Sequence, residues 1–147
     1  MTRVLALLLG AATVVAAVDL AHKAHAISEQ GGAVLLHDRQ TRYVAAGAVL
    51  SLGWAGAIAL TRSSSIAFAG GVVLGGAAGN LVSFALWPSL SGVPDPILAG
   101  GLVAFSLGDV AVVAGFARLQ DAKEGEAGRA HELLIGRSQS SALCTSC

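Results

Sequence analysis

The sequence predicts an all-α polytopic membrane protein with four transmembrane helices, short extracytoplasmic loops and both termini cytoplasmic. Three observations carry this expectation. Of 147 residues, 54% are hydrophobic and only 12% charged, against about 25% charged in a soluble domain. The apolar residues gather in long runs, Val4–Leu20, Tyr43–Thr61, Ile66–Trp87 and Pro96 to Leu119, near the ~20 residues that cross a bilayer. Nineteen glycines suit helices packed closely in lipid. Nine basic residues balance nine acidic ones, so no net field points to nucleic acid, and none is expected as a partner. One helical domain, residues 1–120, is expected to precede a polar cytoplasmic tail, residues 121–147, read as partly helical or disordered.

The first run follows Arg3 and ends in Asp19-Leu20-Ala21-His22-Lys23. Its basic start and the later Ala24-His25-Ala26 imitate a cleavable signal peptide. A retained first helix is favoured, because ~17 apolar residues is long for a signal core and is the lower limit for a span. Asp19 and Lys23 also stand four apart on one helix face, where they can pair. Residues 24–42 are polar around Ala33–Leu36, a patch compatible with a small strand or an interfacial turn. The histidines 22, 25, 37 and 131 show no metal-ligand spacing, and no metal is expected.

The second run is uncharged and holds Trp54; Arg62-Ser63-Ser64-Ser65 connects it to the third. The third run repeats glycine at Gly71, Gly75 and Gly79, two overlapping G-x-x-x-G patterns whose plain reading is close helix–helix contact. Asn80 and Ser83, three apart, share a face that should point into the bundle. The run ends at Trp87-Pro88, as an interfacial aromatic leads one to expect. Loop charge sets the orientation: Arg3, Arg62, Arg118, Lys123, Arg129 and Arg137 fall on one side, and Lys23, Arg39 and Arg42 on the other. Cys144 and Cys147 form a lone C-x-x-C in the tail, without a second pair to complete a metal site.

Two carboxylates remain to be placed. Asp109 lies inside an apolar run, where an aspartate costs ~2.5–3.5 kcal/mol at the bilayer centre and so marks function by default. Asp95 precedes Pro96, and two readings stand level: a functional carboxylate, or the cap of a helix that Pro96 begins. On one straight helix the pair would stand ~21 Å apart. A working pair requires that 96–103 not be continuous helix, with Gly100-Gly101 as the place of reversal and the last helix starting near Ala104. Two carboxylates brought together cannot both ionise easily, so they share a proton and titrate as a unit. Aspartic proteases use that arrangement to activate water and polarise a carbonyl.

These residues resemble the bacterial lipoprotein signal peptidases, also called signal peptidase II. Gly75–Asn80 matches the start of that family's G-G-A-x-G-N-x-x-D-R motif. Gly92-Val93-Pro94-Asp95 looks like its V-V-D-F segment, Phe105–Asp109 like its F-N-x-A-D motif, and Asp19 with Lys23 like the ends of D-x-x-T-K. The motifs follow the family's order over most of residues 4–120. The resemblance implies Asp95 and Asp109 as the catalytic dyad, Asn80 and Ser106 as supporting or substrate-orienting residues, and Asp19 with Lys23 as a brace of the first helix. It implies a monomeric, cofactor-free endopeptidase of the bacterial inner membrane. The substrate would be a diacylglyceryl-modified prolipoprotein, cleaved before its lipidated cysteine. The chain departs from the pattern at Ser83-Phe84, where the family has Asp-Arg, at Ser106 and Gly108, and at His22. Gln30–Leu35 only echoes the family's N-x-G-x-A-F segment. A noncatalytic member that keeps the scaffold for binding or assembly is the alternative.

Overall fold

A computed structural model describes residues 2–30, 36–37, 41–90, 92–100 and 103–144. The chain runs α1 (Thr2–Gln30), β1 (Leu36–His37), α2 (Thr41–Ala59), α3 (Ser64–Leu86), β2 (Val93–Pro94), β3 (Ile97–Ala99), β4 (Val103–Phe105) and α4 (Leu107–Cys144). The fold is mostly helical, as expected, and α1 and α3 are long and apolar enough to cross a membrane. The apolar part of α2, Ala45–Ala59, is shorter. Two small antiparallel sheets add to the helices: β1 pairs with β2, and β3 with β4. The expected patch at 33–36 therefore contributes a strand residue at Leu36, while 31–35 lie outside the described residues.

Helix α3 is the centre of the bundle, with α1 and α4 packed along it and α2 more loosely attached. Its start is fixed by Ser63, whose hydroxyl accepts from the Ile66 N–H at 3.3 Å, satisfying a donor that the first turn leaves open. The glycine repeat is the seam with α1. A Cβ at Gly71 would lie 2.5 Å from the Leu8 carbonyl oxygen, and one at Gly75 would lie 2.6 Å from that of Ala12. Gly76 faces α4 instead, where a Cβ would strike the Gly108 carbonyl. Glycine lets the backbones of three helices approach one another here, and a side chain would force them apart. Gly75→Ala is accordingly expected to cost about 1–3 kcal/mol, as overpacking does. Gly53→Ala, where a Cβ meets nothing within 4 Å, should be neutral to slightly stabilising. Thermal unfolding of the two purified variants checks the difference.

An apolar core that includes Leu8, Ile58, Ile66 and Val73 is buried between the helices, but a polar cluster is buried as well and large apolar side chains face outward. Asp19, Lys23, Asn80, Ser83, Asp95 and Ser106 are buried, while Val14, Val49, Leu50, Leu52, Leu60, Val113 and Phe116 are exposed. An exposed apolar surface around a buried polar cluster is the informative departure from ordinary burial.

One boundary differs from the sequence reading. The last helix begins at Leu107 and not near Ala104, because Val103–Phe105 pair with Ile97–Ala99 first. Of the two readings of the polar segment, partly helical or disordered, the described residues follow the helical one, with α4 continuing to Cys144. Its Ala, Glu, Lys, Arg and Leu content, with no proline after Pro96, favours helix over the loops that proline would impose.

Candidate active site

The site is assembled at the end of the bundle where α1, α3 and the start of α4 meet. On α1, Asp19 and Lys23 pair one turn apart, as their spacing predicts, with Nζ–Oδ2 at 2.7 Å and both side chains fully buried. A buried ion pair tolerates its lost hydration only with further hydrogen bonds around it, and this pair has them. Lys23 Nζ donates to Asn80 Oδ1 on α3 at 2.6 Å. The Gly108 N–H of α4 donates to Asp19 Oδ1 at 2.6 Å. Asp19 thus satisfies an open donor in the first turn of a helix 89 residues away in sequence, and ties α1 to α4.

Room for that carboxylate comes from glycine. A Cβ at Gly79 would lie 2.5 Å from Asp19 Oδ2, and one at Gly108 would lie 3.2 Å from Asp19 Cγ. The third glycine of the repeat serves the polar cluster, whereas the first two serve backbone contact. Gly108 was not legible as a site residue. Its only sequence signal was a small residue beside Asp109, far along the chain from the partner it bonds.

Asn80 and Ser83 face inward, as their shared face predicts, and Ser83 donates to the Asn80 carbonyl oxygen at 2.9 Å. The Asn80 amide is oriented by its partners. Its oxygen accepts from Lys23 and, at 3.3 Å, from Ser106 Oγ, and its nitrogen donates to Asp109 Oδ1 at 2.9 Å. The other oxygen of Asp109 accepts from the Ser106 N–H at 2.9 Å and lies 3.0 Å from the Ser106 hydroxyl. The Asp109 N–H also donates back to that hydroxyl at 3.2 Å. Ser106 therefore caps α4 and grips Asp109 at once, a reciprocal use of a serine just outside a helix start.

Asp95 lies between β2 and β3 and is 2% exposed. Pro96 starts no helix, since Ile97–Ala99 is a strand, so the capping reading of Asp95 is overturned. The chain reverses after Ala99 with Gly100 at φ +59°, a left-handed conformation that glycine adopts without strain. Gly101 lies outside the described residues. Ile97 pairs with Phe105, and paired strand residues stand roughly 5 Å apart at Cα. Asp95 is two residues before that pair and Asp109 four after it, so the hairpin returns both to one end. The ~21 Å separation of a straight helix is removed.

An apolar groove of about 440 Å³ opens beside Asp109, lined by Val103, Phe105, Val110, Val113 and Ala114. The arrangement holds one carboxylate by several donors, buries a second in the link between β2 and β3, and gives the first an apolar approach. No family model, curated protein or solved structure matches this chain.

Proposed function

We propose that the chain is a four-span membrane endopeptidase of the aspartic type, resembling signal peptidase II. It sits in the bacterial inner membrane with both termini cytoplasmic and works as a monomer. It cleaves diacylglyceryl-modified prolipoproteins before the lipidated cysteine. The observation that carries this reading is the β3–β4 hairpin, which returns Asp95 to the end of the bundle where Asp109 is held. Support for the bilayer comes from the large apolar side chains exposed on the outside and the polar cluster buried within, an arrangement that lipid favours and water does not.

The chemistry follows from two carboxyl groups that share one proton. The ionised group takes a proton from water as its oxygen attacks the peptide carbonyl carbon. The protonated group gives its proton to the carbonyl oxygen. The tetrahedral intermediate then collapses: the C–N bond breaks, the proton taken from water passes to the leaving nitrogen, and one hydroxyl returns its proton to the second carboxylate as the carbonyl re-forms. A second reading, a noncatalytic scaffold for binding or assembly, is favoured by one observation. Ser83 spends its hydroxyl on the Asn80 carbonyl, and Ser83-Phe84 offers no charged pair where the resembled family has Asp-Arg.

The test is incubation of the reconstituted protein with a diacylglyceryl-modified prolipoprotein and mass analysis of the products. A signal peptide ending at the residue before the modified cysteine is expected. Absence of turnover by the folded protein on several such substrates would remove the enzyme reading in favour of the scaffold.

A further inference from the structure

A fully buried lysine is an expensive feature, and bracing α1 does not require it to reach α3. Lys23 Nζ nevertheless reaches Asn80 Oδ1 at 2.6 Å, a shorter contact than its ion pair with Asp19 at 2.7 Å. An ammonium can only donate, so it fixes which end of the Asn80 amide is oxygen. The N–H end is thereby turned to Asp109. With the Ser106 N–H meeting the second oxygen, donors face both oxygens of Asp109. That is the environment of an ionised carboxylate, placed in the first turn of α4, where the helix dipole also favours negative charge.

We propose that Lys23 is a positioning residue that acts through Asn80, holding Asp109 as the carboxylate that activates water and leaving the shared proton on Asp95. This deepens the peptidase reading and rests on it for its catalytic wording. The remaining charged neighbours agree. From α1, Asp19 and Lys23 neutralise each other. The groups that α3 offers, Asn80 and Ser83, do not titrate. Among the described residues, Asp95, from the link before β3, is the other carboxyl brought to this end of the bundle. In the reaction, water loses its proton to Asp109 while its oxygen bonds to the carbonyl carbon. Asp95 protonates the carbonyl oxygen; Asp109 later delivers its proton to the departing nitrogen as the C–N bond breaks, and a hydroxyl of the intermediate returns its proton to Asp95 as the carbonyl re-forms.

Infrared difference spectra of the reconstituted full chain read the charge assignment without substrate. Wild type minus Asp109→Asn should lose an ionised-carboxylate absorption, and wild type minus Asp95→Asn a protonated-carboxyl absorption. The reverse assignment, or two ionised carboxylates, overturns the proposal. The paired variant Asp19→Asn/Lys23→Met removes both buried charges and the donor to Asn80 at nearly constant volume, so it retains the fold where a single change endangers it. It should shift the carboxyl absorptions and lower kcat roughly 10–100-fold with KM changed less than about twofold, the pattern of a lost transition-state contact. Unchanged spectra and unchanged kcat in that variant overturn the role of Lys23. A wild type that shows the expected spectra yet cleaves no lipoprotein supports the charge assignment and overturns the peptidase reading alone.

Discussion

Asp109→Asn is expected to lower kcat/KM on the order of 10³–10⁴-fold, the scale of losing an essential acid–base group that works with a partner. The amide cannot take a proton from water, so the first step loses its base. It also fits its surroundings badly. Two N–H donors meet opposite oxygens of Asp109, from Asn80 Nδ2 and the Ser106 backbone. An asparagine offers one acceptor oxygen, so its NH₂ must face a donor on one side, at a cost of about 1–3 kcal/mol. The variant should therefore be both inactive and measurably less stable. Cleavage assays and thermal unfolding on the same preparation check the two effects separately.

Lys23→Met is expected to give the largest stability loss, about 3–5 kcal/mol, because it strands a buried carboxylate. Asp19 is fully buried beside it, and Asn80 Oδ1 would lose its shortest donor. The Gly108 N–H still meets Asp19 Oδ1, which offsets only part of the uncompensated charge. Against a typical total of about 5–15 kcal/mol for a folded protein, that loss endangers the bundle. Asp19→Asn in the same chain should restore much of it, since the stranded charge is then gone. Equal unfolding temperatures for the single and double variants would contradict the buried pair as drawn.

Much of this architecture was legible in the sequence because apolar runs and small-residue periodicity are local signals. The α3 glycine repeat identified a helix seam, and the Asp19–Lys23 spacing identified an ion pair, each within one or two turns. The reversal at Gly100 followed from a geometric demand, that two carboxylates fourteen residues apart could meet only if the helix broke. What was hidden depends on partners distant in sequence. Nothing near Gly108 says that its N–H meets Asp19, and nothing near Lys23 says that it reaches past Asp19 to Asn80. The late start of α4 was hidden for the same reason, since Val103–Phe105 become a strand only because Ile97–Ala99 lies beside them. Helical continuation to Cys144 was obscured by polarity, which mimics a solvated tail although its composition favours helix.

The most direct test of a single working dyad is a double-mutant cycle on cleavage of a diacylglyceryl-modified prolipoprotein. It compares wild type, Asp95→Asn, Asp109→Asn and the doubly substituted chain. Groups that act as one unit fail together, so the double variant should be no slower than the slower single variant, within about twofold. Losses that multiply across the two sites would show that Asp95 and Asp109 act independently, and would contradict the dyad.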